Sequence, residues 1–362
     1  MFFSLNGVIF SISSLINFSI FVILSLNPLT SPSASLFISF SIVISLCLLP
    51  QRLIAQETFA EWLEGFKVQA IKKGISEQTV NDAFRNVKFL EKVIGYDRKQ
   101  PEFIEKTETY LSKRANKKSL ERSIQAYKEN KKILDKVETE FNVEKEYLLA
   151  LWSIETNHGR NLGKMDIISS LATLSFDKRR RDYFSGQLFI LLELLDKKTV
   201  SLDMLYGSWA GAMGNFQFMP STLKSYGIDY NKDGRIDLKN SSEDSIASAA
   251  NYLKKIGWLY NSPCKLNVEF SKDINKKLFN HSARNIKNKK TINYWINAGV
   301  KNNSLGEYSN SNLQSALVLP DGDINSPKYL VFNNYEKILK WNRSLRFGVS
   351  VCTLAEMIKN EI

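Results

Sequence analysis

The stretch Leu148–Arg160, LLALWSIETNHGR, sets a carboxylate where helical periodicity calls for an apolar residue. In a helix, Leu148, Leu151, Trp152 and Glu155 fall at i, i+3, i+4 and i+7 and share one face. Three of the four are apolar, so that face is turned to a core and Glu155 is carried onto the buried stripe. A carboxylate taken out of water beside a tryptophan is harder to ionise and holds its proton closer to neutrality. This is what a general acid requires. The plainer alternative is a structural carboxylate paired with Arg160 or another base of the core. Gly159 supplies a helix stop, so Glu155 lies in the last turns, where the wall of a cleft can begin.

The rest of the chain reads as a series of helices around that one. Phe59, Trp62, Leu63, Phe66 and Ala70 recur at helical spacing, and Ser76 caps a second helix over Ser76–Val87. Pro101 breaks the pattern, so Gly95–Phe103 reads as a loop leading to a helix over Phe103–Ala115. Leu120 to Phe141 marks a long amphipathic helix. Shorter helices follow at Ile167–Leu174 and at Arg180–Leu195, the latter with Tyr183, Phe184, Leu188, Leu191, Leu192 and Leu195 inward. Leu266, Val268 and Phe270 alternate, as do Ala316–Leu319 and Tyr329–Phe332, which predicts a small strand-bearing region over 262–333. A helix-like stretch, Lys287–Ala298, and a polar loop, Asn302–Asn312, lie within it. Tyr335–Ile362 is mostly helical and apolar and returns to the main core. The fold class is therefore mainly α with a small β region, α+β in layout.

Charge divides the chain in two. Lys and Arg number 49 against 37 Asp and Glu, and every one of these lies at or after Arg52. A basic surface suits a polyanion, and charge alone does not choose between nucleic acid and an acidic glycan. Residues 1–55 carry an apolar run, Leu36–Leu49, of signal-peptide length, with Ala55 before Gln56 as a small-residue cleavage position. The earlier stretch Phe2–Leu26 is long enough to span a bilayer, so export and membrane anchoring are both readings of this segment. Beyond Cys47 only Cys264 and Cys352 remain, either as one disulfide or as two buried thiols. The lone histidines, His158 and His281, read as packing or surface residues.

Two loops carry chemistry. Gly207–Pro220, GSWAGAMGNFQFMP, has glycines in quick succession, which lets a backbone approach a flat sugar ring closely, or lets helices pack through small residues. Pro220 opens the next helix. Asp229–Asp237, DYNKDGRID, places oxygen side chains at Asp229, Asn231 and Asp233, a glycine at Gly234 and a backbone carbonyl at Arg235, the 1, 3, 5, 6, 7 order of a calcium loop. Position 12 is Asn240 instead of glutamate. Asp244, near the start of a helix over Ser242–Ile256, closes the set if the loop is slightly longer. A metal-free Asp/Asn/Gly turn is the alternative.

Three of these stretches together resemble the lytic murein transglycosylase B family. SIETNHGRNLG resembles its catalytic segment, GSWAGAMGNFQFMPST its substrate groove, and DYNKDGRIDL with ASAANYLKKIGW its metal loop and following helix. LATLSFDKRRRDYFSGQL and KYLVFNNYEKILKWNRS also match. The resemblance runs from about residue 58 to the C-terminus and is weakest between Asn261 and Asn325. It implies a lysozyme-like catalytic core with an inserted EF-hand-like loop and a helical N-terminal part. The corresponding division is 1–55 as export or anchor segment, 56–135 as the helical part and 136–362 as the catalytic domain with its loop at 229–244.

Residue by residue, the resemblance implies Glu155 as the lone acid/base, Ser208 and Gln217 as groove residues that hold it and the sugar, and Tyr110, Tyr252 and Asn342 as further substrate-side positions. Asp229, Asn231, Asp233, Arg235 and Asp244 match its calcium loop. Trp341 and Phe347 depart from the tyrosines often found there. The implied reaction cleaves the β-1,4 bond between N-acetylmuramic acid and N-acetylglucosamine in peptidoglycan and closes a 1,6-anhydro ring, with no catalytic cofactor and a structural Ca²⁺. A periplasmic monomer acting on glycan strands, with membrane attachment through the N-terminal segment and no nucleic-acid partner, is the expectation. A hydrolytic muramidase and a catalytically silent wall-binding scaffold are the competing classes.

Overall fold

Glu155 belongs to a helix that is buried almost from end to end, and the other helices are arranged to cover it. The computed structural model describes residues 57–98 and 105–362, of which Thr58–Ile362 form one compact unit. Expectations for residues 1–55, including the leader, the anchor and Cys47, lie outside the described residues. Among those described, no helix is long and apolar enough to cross a membrane.

The helices in chain order are α1 (Phe59–Lys72), α2 (Glu77–Phe84), α3 (Glu91–Arg98), α4 (Thr107–Arg114), α5 (Lys117–Phe141) and α6 (Lys145–Thr156). Then come α7 (Ile167–Phe176), α8 (Arg181–Asp196), α9 (Pro220–Tyr226) and α10 (Ser242–Lys255). The chain ends with α11 (Ile292–Ala298), α12 (Asn333–Trp341) and α13 (Leu345–Lys359). Local sequence explains the ends. Thr58 and Glu61 form a reciprocal capping box on α1, and Ser76 accepts from the Thr79 amide as the expected cap of α2. Pro220 opens α9 where no amide is needed. The expected loop from Gly95 is helical as far as Arg98, because α3 gains a tertiary partner in α7 that periodicity alone cannot register.

The central helix α6 packs against α5 and α13, with Leu148, Leu149, Ala150 and Leu151 wholly buried. The main core is continuous and runs from Trp62 to Ile358. Tyr183, expected inward on α8, is instead 44% exposed, while Phe184 takes the core position at 1%. Arg180 lies over both rings, which lets Tyr183 shelter one face without entering the core.

The strand-bearing region is a four-stranded antiparallel sheet in the order β3 (Lys265–Asn267), β8 (Tyr329–Val331), β7 (Gln314–Val318), β5 (Lys290–Thr291). Two-stranded ribbons pair β1 (Met165–Asp166) with β2 (Tyr206–Gly207), and β4 (Glu269–Phe270) with β6 (Val300–Lys301). Strand alternation does its work in β7 and β8. Ala316, Val318, Tyr329 and Val331 join the main core, while Leu317, Leu330 and the following Leu319 and Phe332 join a second core with Trp295 and Ile292. The helix expected over Lys287–Ala298 begins only at Ile292, since Lys290 and Thr291 are taken by the sheet edge. The polar loop Asn302–Asn312 includes a short 3₁₀ turn, Leu305–Tyr308, anchored by buried Leu305. Cys264 and Cys352 form a disulfide that ties β3 to α13 across a separation of 88 residues.

Candidate active site

The site is built on the C-terminal end of α6. The helix stops at Thr156, earlier than Gly159, because Asn157, His158 and Gly159 follow one another with φ of 53°, 55° and 78°. Asn157 is thus the left-handed cap, a role in which asparagine is second only to glycine. The side chain of Arg122 on α5 reaches across and donates to Asn157 Oδ1 at 2.8 Å. Gly159 has a different duty: a Cβ there would lie 2.5 Å from Asn215 Oδ1. Glu155 itself is half-buried and not part of the fully buried stripe, which comprises Leu148, Leu151 and Trp152. The helix turns its last residues toward the edge of the core, so the carboxylate stands between protein and solvent.

Asn215 is the residue that sequence reasoning missed. It is 5% exposed and links three elements. Its Oδ1 accepts from Trp152 Nε1 at 2.9 Å, and its main-chain carbonyl accepts from Thr156 Oγ1 at 2.7 Å. Its Nδ2 donates to the Leu238 and Lys239 carbonyls and to Ser245 Oγ, the last on α10. The residues flanking Glu155 on α6 are therefore fixed to the glycine-rich loop and to the loop before α10. The available signal was a polar side chain between Gly214 and Phe216 in an otherwise apolar run.

Ser208 and Gln217 both organise the glycine-rich loop. Ser208 Oγ accepts from the Ala210 and Ala212 amides at 3.3 and 3.0 Å, closing a turn over 208–212. Gln217, at φ 51°, donates from Nε2 to the Leu162 carbonyl at 3.3 Å and the Gly214 carbonyl at 3.0 Å. Gln217 thereby fastens the loop to the segment that leaves Glu155. Tyr252 and Asn342 come together elsewhere around the site: Tyr252 OH donates to the Lys340 carbonyl at 3.1 Å, two residues before Asn342. The Tyr252 ring packs at a tilt against Tyr226 and Trp341, and Trp341 packs on Phe216 and Phe218 next to Asn215 and Gln217. Tyr110 is 3% exposed on α4, with the Arg114 guanidinium 3.7 Å from its ring centre. Phe347 is a core residue of α13 at 3% exposure. His158 packs its ring on Trp152, and His281 is exposed.

The acidic loop has the turn expected of it. Gly234, at the sixth position, has φ 93°, and Asp229, Asn231 and Asp233 accept from the loop amides of Asp233, Gly234 and Arg235. Asp244 is wholly buried and accepts from Tyr230, Asn231 and Asp237 amides, so α10 and the loop are already joined through it. Burial pushes the Asp244 carboxyl above the ordinary range against the pull of those amides. Among the described residues no three His, Cys, Asp or Glu side chains converge on one point. The donor set, all oxygen and spaced around one tight turn, fits a hard cation in kind.

A mainly helical, lysozyme-like fold, with one half-buried glutamate at the end of its central helix and a glycine loop pinned to it, defines a class of glycan-cleaving enzymes. The chain belongs to the family described as the transglycosylase SLT domain, whose profile matches residues 58–356. It is 46% identical over 121 residues to membrane-bound lytic murein transglycosylase B of Escherichia coli (strain K12), a match that spans 33% of this chain and 33% of that relative. It is also similar to SltB3 from Pseudomonas aeruginosa, solved with NAG-NAM-pentapeptide and with NAG-anhNAM-pentapeptide, at 32% identity and a TM-score of 0.76 over 84% of this chain and 80% of that one. The lytic transglycosylase SLT35 of Escherichia coli, in complex with calcium, matches at 27% identity and a TM-score of 0.70 over 86% of this chain and 98% of that one.

Proposed function

We propose that this protein is a peptidoglycan lytic transglycosylase that uses Glu155 first as acid and then as base. The observation that carries the reading is the half-buried carboxylate at the end of a rigid helix, beside a loop locked to it through Asn215 and Gln217. Protonated Glu155 donates to the oxygen linking N-acetylmuramic acid to N-acetylglucosamine, and an oxocarbenium-like centre develops. The N-acetyl group stabilises that centre in place of the second carboxylate that glycosidases ordinarily carry. Ionised Glu155 then takes the proton of the muramyl C6 hydroxyl, which closes on C1 to form the 1,6-anhydro ring. The hydroxyl belongs to the same sugar, so proximity favours it over water. The complex of SltB3 with NAG-anhNAM-pentapeptide is consistent with such a product in a relative.

Ser208, Gln217, Tyr110, Tyr252 and Asn342 serve on the substrate side in this proposal, Ser208 and Gln217 by shaping the loop as well as by contact. Asp229, Asn231, Asp233, the Arg235 carbonyl and Asp244 would hold a structural Ca²⁺ that braces the loop against α10 and takes no part in the chemistry. The calcium complex of SLT35 supports this assignment. The site of action is the periplasm, after export or anchoring through residues 1–55.

The test is digestion of purified murein by protein beginning near Gln56, beside a Glu155→Gln variant, with the soluble products weighed by mass spectrometry. Anhydro-muropeptides from the wild type alone are expected. Products one water heavier would make the protein a hydrolytic muramidase, and a Glu155→Gln variant within a few fold of wild type would remove Glu155 from the chemistry.

A further inference from the structure

Tyr96 on α3 and Trp209 in the glycine-rich loop are distant in sequence, and their rings lie 6.4 Å apart, tilted by 49°. Tyr96 is 48% exposed on α3, and Trp209, directly after Ser208, is half-buried at the rim of the main core. Tyr206, two residues before Ser208, is a third aromatic in the same neighbourhood at 50% exposure, because β2 turns Gly207 inward and Tyr206 outward.

The backbones beneath the pair are fixed far more firmly than exposed rings need. Asp97, next to Tyr96, is buried and accepts from Arg179 Nε at 2.7 Å and Arg180 Nη1 at 3.4 Å, while Arg179 Nη2 donates to the Asp97 carbonyl at 2.7 Å. Trp209 sits inside the turn that Ser208 closes by accepting two amides with its hydroxyl, while the Gly211 amide donates to the Ser208 carbonyl. Two rings are thus held in place while one of them leaves half its area in water. Such preorganisation lowers the entropy cost of a ligand that lies on them. Flat uncharged rings of this kind suit the C–H face of a pyranose.

We infer that Tyr96 and Trp209 form a stacking platform for a sugar of the glycan strand beyond the pair joined by the cleaved bond, reached only by longer strands. The inference rests on the proposed function and adds a subsite to it. Being uncharged, the platform should contribute equally at low and high salt.

Steady-state kinetics of the full-length protein with murein glycan oligomers of four and eight sugars test this, comparing wild type with Tyr96→Ala, Tyr96→Leu and Tyr96→Phe. With eight sugars, KM is expected to rise about three- to tenfold in the Ala and Leu variants, the scale of one aromatic contact. kcat should hold, KM for four sugars should move little, and Phe, which keeps the ring, should restore the wild-type value. An unchanged KM with eight sugars overturns the platform, as does an equal rise for both lengths. A lower melting temperature that accounts for the loss in Ala and Leu would make Tyr96 a packing residue and overturn it too. If the wild type releases no anhydro product, the functional reading fails separately. Binding of the eight-sugar oligomer, followed by calorimetry, then judges the platform: a Kd raised about three- to tenfold in Tyr96→Ala and restored in Tyr96→Phe upholds it, and an unchanged Kd overturns it.

Discussion

Trp152 and Asn215, 63 residues apart in the chain, are joined in a buried hydrogen bond of 2.9 Å from the indole Nε1 to the amide Oδ1. Trp152 lies one helical turn before Glu155 and on the same side of α6. Through this bond the floor of the proposed site is set by a residue of the glycine-rich loop, so the loop and the helix end form one rigid piece.

Asn215→Ala should therefore cost stability and activity together. It leaves Trp152 Nε1 without its acceptor and takes the side-chain donor from the Leu238 and Lys239 carbonyls, of which Leu238 keeps the residue-215 amide and the Ser245 hydroxyl. Stranding groups of this kind costs about 2–3 kcal/mol. Asn215→Asp is expected to be no milder, because it turns a carboxylate toward those carbonyls. Urea unfolding with a murein-release assay checks both; a variant with wild-type stability would show that the amide is dispensable.

The disulfide closes a long loop between Cys264 and Cys352. Replacing both by alanine should reduce stability by up to about 4.5 kcal/mol, the chain-entropy value for a loop of this size. Denaturant midpoints of the double variant, and of the wild type with and without reductant, measure it. Insensitivity of the wild type to reductant would contradict the bond.

His158 gives the fold a pH dependence. Its ring is largely buried against Trp152, and burial, followed by the positive Arg160, pushes its pKa down to about 4. The folded state accepts the neutral ring, whereas the unfolded chain takes up a proton below its ordinary value of 6.5. The contribution is complete above pH 6.5 and is lost as pH falls toward 4, by about 3 kcal/mol in all. His158→Phe should keep the contact with Trp152 and flatten the melting temperature between pH 7 and 4. An unchanged slope would place the dependence elsewhere.

Removal of calcium should lower the melting temperature without changing which products are made. An ion present at a hundred times its Kd contributes about 2.7 kcal/mol. Calorimetry with and without excess chelator, repeated on Asp229→Ala, tests the assignment. The wild type should lose stability on chelation and the variant should be indifferent; a wild-type curve that ignores chelator would argue against any bound ion.

Much of the helical framework was legible because its signals are local. Apolar spacing located α1, α5, α6 and α8, Ser76 and Pro220 marked helix starts, and alternation located β7 and β8. The misreadings share a cause. Residues 95–98 became helix, and Lys290 and Thr291 went to a sheet edge, because of contacts with elements distant in the chain, while Tyr183 stayed outside under the Arg180 guanidinium.

The sequence alone determined the helical class, the position of Glu155 near the end of a helix with an apolar face, and the order of oxygen donors around Gly234. Each depends on spacing between neighbours, which the backbone converts directly into a face or a turn. Only the tertiary structure decided that Glu155 stops short of full burial, that Cys264 meets Cys352, and that Asn215 connects Trp152, Thr156 and Ser245. Those relations join residues tens of positions apart, and no local period encodes them; they arise when apolar burial folds the helices together and the polar groups left inside must find partners.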